Sequence, residues 1–348
     1  MKAKGSLRRS CSLALLQMFV VASACAAAQN SALSPTNIFA PASTPARSVF
    51  RISSFVLEIT GAIFVVVFSL LAYAVIRFRE RKGDEEFEPP QVYGSNQMEV
   101  AWTILPVLIV IVLFLSTAQV IHRVQDAPAP ANAIHVTVVG HQFWWEYQYP
   151  QYGFVTANEL HVPVSDPHHP TPTYLALLSD DVDHSFWVPR LAGKTDLIPN
   201  HPNSMWIDPY ETGIYLGQCA QFCGAQHAKM LIRVYVQTRA DFDRWVKEQQ
   251  QPPVSDPAAA EGSALFVTKT CFACHTIRGT AAAGTIGPDL THLMSRDTIA
   301  SGTLANTPQN LRAWIRNPDV FKPGSKMPVI DMTDDEASQL TAYLTTLR

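Results

Sequence analysis

Residues 219–230 read Cys-Ala-Gln-Phe-Cys-Gly-Ala-Gln-His-Ala-Lys-Met, and the occupant of this loop decides what the rest of the chain must be. Cys219 and Cys223 stand four apart, His227 follows after four more residues and Met230 after three. Such a run admits a disulfide, a zinc ion or copper. Zinc favours a closed set of cysteines and histidines without methionine. Copper accepts thiolate, imidazole and thioether together. A disulfide suits two cysteines in an exported protein. A metal ion here needs a further ligand, and Asp181-Val-Asp-His184-Ser-Phe-Trp supplies a histidine 35 residues before Cys219.

The segments around the loop alternate with period two. Ile134, Val136 and Val138 alternate with His135 and Thr137. Phe143, Trp145, Tyr147 and Tyr149 alternate with Trp144, Glu146 and Gln148, and Met230, Ile232, Val234 and Val236 with Leu231, Arg233 and Tyr235. This is the pattern of half-buried strands, punctuated by turns such as Asp166-Pro-His-His-Pro-Thr-Pro. Residues 130–248 are therefore expected to form an all-β Greek-key barrel or sandwich. The 219–230 loop then joins the strands Ile214–Gly217 and Met230–Val236, with His184 at the end of the strand Tyr174–Leu178.

Farther out, the chain carries two apolar runs. Phe55–Ile76 has 22 residues with Glu58 as its one charge, and Trp102–Ile121 has 20 residues and no charge. Each is long enough to span a bilayer as a helix, so residues 50–123 read as a transmembrane helical hairpin with lipid as its partner. Glu58 reads as a carboxylate snorkelling to the interface. Arg77, Arg79, Arg81 and Lys82 between the runs mark the cytoplasmic side, which puts everything after residue 127 outside. Residues 1–28, with a basic start, a short apolar stretch and small residues around Cys25, read as a signal peptide. Of six cysteines, Cys11 and Cys25 fall in this leader and the other four form two close pairs, a pattern suited to metal or cofactor attachment. A net charge of −3 over 348 residues argues against a nucleic-acid partner.

Residues 249–257, Gln-Gln-Gln-Pro-Pro-Val-Ser-Asp-Pro, read as an extended, semi-rigid linker. Residues 258–348 follow as a mainly helical module whose last helix starts at Thr333-Asp-Asp-Glu336, a capping box. Cys271-Phe-Ala-Cys274-His275 has the spacing of c-type haem attachment. Two thiols add to the vinyl groups and the next residue places an imidazole at the iron. The sixth ligand comes from Met294, Met327, Met332 or His292, and Met327, in the loop Pro323-Gly-Ser-Lys-Met-Pro, is the choice. His168 and His169 read as solvated loop residues. His122, at a membrane boundary, and His135, His141, His161 and His201 show no ligand spacing and read as structural.

The stretches His184-Ser-Phe-Trp-Val-Pro, Cys219–Met230 and Gly140-His-Gln-Phe-Trp-Trp-Glu-Tyr, preceded by the two-span hairpin, resemble cytochrome c oxidase subunit II. The C-terminal module, with Gly287-Pro-Asp-Leu290 after its haem motif, resembles class I cytochromes c, as in bacterial variants of the family with a fused cytochrome. The resemblance implies a multidomain protein: a transmembrane hairpin, a cupredoxin-like barrel and an all-α cytochrome c domain. It implies a dinuclear copper centre, CuA, with Cys219 and Cys223 bridging, His184 and His227 binding one copper each, Met230 as a weak ligand and the backbone carbonyl of Gln221 as another. It implies electron transfer from a c-type cytochrome through covalent haem c and copper, by way of Trp144 and Trp145, to a haem–copper subunit I accompanied by subunit III. That partner reduces O2 to water and translocates protons in the bacterial inner membrane, and both soluble domains lie on its outer face. Neither span offers histidines for an oxygen site. The family has Glu where Gln221 stands, which argues against its magnesium site here. It has Trp where Phe143 stands, which implies entry through the tethered haem. Asp180, Asp181 and Asp183 offer either a docking face for a basic cytochrome or a solvated loop. The competing readings are the electron-entry subunit of a nitric oxide reductase and a membrane-anchored copper-delivery protein.

Overall fold

The computed structural model describes residues 34, 36–79, 91, 93–125, 133–166, 170–254 and 256–348. The expected signal peptide with Cys11 and Cys25, the basic residues Arg81 and Lys82, and His168 and His169 lie outside the described residues.

Two helices open the described chain, α1 (Thr44–Arg77, 34 residues) and α2 (Asn96–Gln125, 30 residues), both long and apolar enough to cross a membrane. At 1.5 Å per residue, α1 is about 51 Å long against a ~30 Å hydrocarbon core, so its first turns stand clear of the lipid. Those turns are docked elsewhere. The buried Asp208 accepts hydrogen bonds from Thr44 N (2.7 Å), Ser43 Oγ (2.8 Å) and Thr44 Oγ1. A carboxylate satisfies the orphan donors of a helix start and complements its positive dipole end. The far end of α2 is held by Trp206, whose indole N–H donates to Val124 O (2.7 Å). Asp208 lies just beyond the end of the strand that carries Trp206, so one strand anchors both helices.

Ten strands follow: β1 (Ile134–His141), β2 (Trp144–Tyr149), β3 (Phe154–Ala157), β4 (Glu159–Pro163), β5 (Thr173–Ser179), β6 (His184–Trp187), β7 (Thr195–Leu197), β8 (Asn203–Ile207), β9 (Gly213–Cys219) and β10 (Leu231–Gln237). They form two five-stranded sheets, in the orders β3-β2-β1-β5-β8 and β4-β10-β9-β6-β7. The alternation read from the sequence gives the inner faces: Val136, Val138, Trp145, Tyr147, Tyr149, Ile232 and Val234 are all buried in one core. One expectation is corrected. His184 does not end the strand begun at Thr173 but opens β6 in the other sheet. The Asp180–Asp183 turn between the strands makes the crossing, with the Asp181 carboxylate accepting from Val182 N (2.7 Å).

The amphipathic helix α3 (Arg239–Gln249) buries Phe242, Trp245 and Val246 against this core. Its Trp245 stacks on His161 (4.1 Å, 9°), which stacks on Tyr235 on its other face (4.7 Å, 8°). Burial pushes the His161 ring down to about 4 from 6.5, against a hydrogen bond to Gln237 that favours its protonated form. Above the ordinary histidine pKa the ring is neutral in both folded and unfolded chains. As pH falls below that value the unfolded chain binds a proton that the native ring refuses, so stability drops. The loss is expected to reach about 3 kcal/mol by pH ~4. Urea unfolding of the detergent-solubilised chain should show this slope, and His161→Phe should flatten it.

The C-terminal module packs α4 (Ala260–Thr268), α5 (Pro308–Arg316) and α6 (Asp334–Leu344) around Phe266, Leu290, Leu311, Ile315, Leu340 and Leu344. At Gly262, α4 crosses α6 so closely that a Cβ would lie 2.2 Å from Gln339 O. The capping box forms as read: Glu336 N donates to Thr333 Oγ1 (3.2 Å) and Thr333 N to Glu336 Oε2 (2.7 Å). At the start of the 249–257 stretch the backbone is fastened to the C-terminal module. Gln249 O accepts from Arg278 Nη2 (2.6 Å) and Gln251 O lies 3.1 Å from His292 Nε2. The buried Glu159 of β4 accepts from Thr298 N (2.9 Å), Thr298 Oγ1 (2.8 Å) and Asp297 N (3.1 Å). The two modules are thus packed together by hydrogen bonds from both sides.

Candidate metal and haem sites

Strand register builds the first site. Cys219 ends β9 directly opposite Phe186 of β6, and His184, two residues from Phe186, points to the same face. His184 Nδ1 therefore lies 3.9 Å from Cys219 Sγ. The turn after β9 brings back the rest: Cys223 Sγ is 3.9 Å from Cys219 Sγ, 3.8 Å from His227 Nδ1 and 3.9 Å from Met230 Sδ. The Gln221 carbonyl oxygen is 3.1 Å from Cys219 Sγ. All six expected donors meet at one end of the sandwich. His184, Cys219, Cys223 and Met230 are buried, while the neighbouring Phe222 ring is exposed.

The donor chemistry discriminates among occupants. A sulfur–sulfur distance of 3.9 Å is no disulfide. Two thiols, two imidazoles, a thioether and a carbonyl exceed the four donors of one tetrahedral zinc and include a soft ligand that zinc avoids. Copper fits the set. The thiols share a proton: the Cys223 S–H stabilises a Cys219 thiolate, His184 assists against the cost of burial, and Cys223 is held protonated in turn. Asp181, read from the sequence as part of either a docking face or a solvated loop, orients the site. Its Oδ1 lies 2.9 Å from His184 Nε2 and its Oδ2 accepts from Gln142 N (2.7 Å). With Nε2–H directed at Asp181, Nδ1 is left to face the sulfur.

The second site is a cavity of about 250 Å³ lined by Cys271, Cys274, His275 and Met327 together with Phe143 and Trp144 of the β-sandwich. A single helical turn gathers its attachment residues: Cys274 N and His275 N both donate to Cys271 O (3.1 and 3.0 Å). Pro288 O lies 2.8 Å from His275 Nδ1, which leaves Nε2 for a metal. Burial outweighs that hydrogen bond and lowers the His275 pKa, keeping the ring neutral as a ligand must be. A Cβ at Gly287 would sit 2.6 Å from His275 Cε1, so only glycine lets the following loop close over the ring. Of the sixth-ligand candidates, Met327 and Met332 line the cavity. Met294 packs against the module's hydrophobic core and His292 is engaged at Gln251 O. Both cysteines, the imidazole and a thioether around one apolar cavity fit a c-type haem.

The two tryptophans face opposite ways. Trp144 lines the haem cavity and stacks flat on His141 (4.3 Å, 6°). Trp145 is fully buried and packs edge-on to His184 (6.0 Å) and Phe186 (5.7 Å).

The transmembrane-domain profile of cytochrome c oxidase subunit II matches residues 31–120, the profile of its periplasmic domain matches residues 167–237, and the cytochrome c profile matches residues 259–348. Cytochrome c oxidase subunit 2 of Alkalihalophilus pseudofirmus is 35% identical over 298 residues, which cover 83% of this chain and 84% of that protein. The chain belongs to the cytochrome c oxidase subunit II family. Another member, from Bacillus sp. strain PS3, is 36% identical over 291 residues, covering 78% of this chain and 80% of its own. Among solved structures, the periplasmic domain of cytochrome oxidase subunit II of Bradyrhizobium japonicum is 28% identical, with a TM-score of 0.33 over 35% of this chain and 97% of that one. As a subunit II, the chain is a membrane protein with two spans and an electron-transfer subunit of an oxidase complex. Its matched domains imply haem and copper.

Sequence reading passed over Lys322 and the role of Gln142. Lys322 is 4% exposed, lies in the haem-cavity wall and donates to Phe143 O (3.0 Å). Burial pushes its ammonium down to about 7, against the pull of nearby Cys223. In sequence it is one lysine beside Pro-Gly, and nothing local distinguishes it from a solvated turn residue.

Proposed function

We propose that this chain is the electron-entry subunit of a respiratory terminal oxidase with two redox groups of its own. Cys271 and Cys274 would hold haem c covalently, with His275 and Met327 at its iron. His184, Cys219, Cys223, His227, Met230 and the Gln221 carbonyl would hold a dinuclear copper centre. Bound there, the two groups supply one-electron redox chemistry between a c-type cytochrome donor and a haem–copper subunit I that reduces O2. The observation that carries the reading is the pair of unbridged thiols 3.9 Å apart, ringed by two imidazoles, a thioether and a carbonyl. This chain's residues do the positioning. Asp181 fixes the His184 tautomer, Pro288 O fixes His275, and the buried Phe143 and Trp144 wall the cavity while the buried Trp145 packs on His184. Arg77 and Arg79 at the end of α1 support a cytoplasmic loop, hence both soluble modules on the outer face of a bacterial inner membrane.

The test is elemental and spectroscopic. The purified full chain is expected to carry copper and iron in a ratio of about two to one, with an electron-spin signal delocalised over two coppers. One exchangeable copper per chain, or a Cys219–Cys223 disulfide, would overturn the reading.

A further inference from the structure

Three hydrogen bonds join the segment Phe321–Gly324 of the C-terminal module to the copper-loop side of the sandwich. Lys322 Nζ donates to Phe143 O (3.0 Å), Lys229 Nζ to Phe321 O and Gln226 Nε2 to Pro323 O. The first differs from the others because its donor is a charged ammonium that is almost fully buried, whereas Gln226 is buried but neutral and Lys229 only half-buried. Burying an ammonium is costly, and Lys322 has no carboxylate within ion-pair distance among the described residues. An apolar side chain of similar length would fill the same space at less cost. What the ammonium adds is direction. Apolar contact lets two surfaces slide, whereas a hydrogen bond to one carbonyl sets their register.

The carbonyl it grips belongs to a junction. Gln142, one residue earlier, is tied to the copper site twice, once through the Asp180–Asp183 turn and once to the 219–230 loop. Its N donates to Asp181 Oδ2 (2.7 Å), the carboxylate that also holds His184, and its Nε2 donates to Cys223 O (2.6 Å). Gln142, Phe143 and Lys322 all line the haem cavity. One dipeptide thus touches the cavity, Cys223 of the copper set directly, His184 through Asp181, and the buried Lys322 ammonium.

We propose that Lys322 is a positioning residue that latches the haem-bearing module onto the Gln142–Phe143 junction, fixing the register between the haem cavity and the copper loop. The inference rests on the function proposed above and deepens it. The haem module is a docked partner of the copper loop and not a tethered shuttle, and Lys322 sets the docking without carrying the electron.

The experiment uses the full-length chain with Lys322→Met, which keeps an apolar stem of similar length, and Lys322→Arg, which keeps a donor. Two quantities are read: hydrogen exchange at the amides of residues 141–145, 221–230 and 319–326, and the rate of the one-electron exchange between haem and copper after rapid reduction of the haem. Loss of a charge-assisted hydrogen bond at a buried seam is worth about a factor of ten or more in an equilibrium. Lys322→Met is expected to raise exchange in those segments by about that factor, and to slow the haem-to-copper step comparably. Haem and copper spectra should stay unchanged, and Lys322→Arg should recover both readings. Wild-type exchange and an undiminished rate in Lys322→Met overturn the proposal. So does a rate loss that Lys322→Arg fails to restore. If Lys322→Met does not accumulate, Lys322→Gln, whose amide stops short of the Phe143 carbonyl, is read in the same way. A wild-type chain with no haem or copper spectrum sinks the proposed function alone, and the exchange comparison still decides the latch.

Discussion

Cys219→Ser is expected to abolish copper binding while leaving the chain folded and its haem attached. The sulfur it removes sits at the centre of the site, 3.9 Å from His184 Nδ1, 3.9 Å from Cys223 Sγ and 3.1 Å from Gln221 O. A serine hydroxyl occupies nearly the same volume in a buried position but is a hard donor that does not ionise at neutral pH. Among the described residues Cys223 is the other thiol of this cluster, and it already fills its own place in the set. Loss of a residue that only orients a ligand costs about 10–100-fold in metal affinity. Removal of the shared sulfur should exceed that, with electron delivery to the partner subunit falling by more than ~100-fold. Copper content, the copper absorption bands and turnover of the reconstituted oxidase check it. A variant that still holds two coppers would show that Cys219 is not a bridge.

The second large effect belongs to the other site. His275→Ala should leave haem attached through Cys271 and Cys274 but remove the imidazole that would bind its iron, and a change of axial ligand shifts the potential. The ring cannot be replaced from nearby. His292 is engaged at Gln251 O, and Gly287 closes against the imidazole itself. Turnover with a soluble reduced cytochrome is expected to fall by more than ~100-fold, beyond the cost of an outer-shell change, while the copper spectrum stays as in the wild type. Unchanged turnover would mean that electrons enter the copper loop without the haem, and the Phe143 position would have to serve as a direct entry point after all.

The physics of what could be read in advance divides along a clear line. Alternation in Ile134–Val138 and Met230–Val236 is a local signal, because each strand has one face in the core, and it located the sandwich. Cys271-x-x-Cys-His and the 219–230 loop were legible because metal chemistry constrains spacing within a single turn. The start of α6 was legible because a cap is made by neighbours in sequence. Helix α3 was not read, although Phe242, Trp245 and Val246 lie at helical spacing. Most of its eleven residues are charged or polar, and that composition masks the apolar stripe. His184 was assigned to the wrong strand, since the turn that carries it between sheets is set by Asp181 and its hydrogen bonds. Met327 was chosen over Met332 for its irregular loop, and both line the cavity. Glu159 and Lys322 were invisible for one shared reason. A charge reads as solvated until the surface that buries it is known, and here that surface belongs to the other module.

The anchoring of α1 and α2 at one end of a single strand has a mechanical consequence. With Asp208 gripping the first turn of α1 and Trp206 holding the last turn of α2, the sandwich cannot swivel independently of the spans beneath it. The lipid-embedded pair acts as a jig. It sets the height and heading of the copper-loop end above the bilayer, so a partner seated in the same membrane finds that end already aimed.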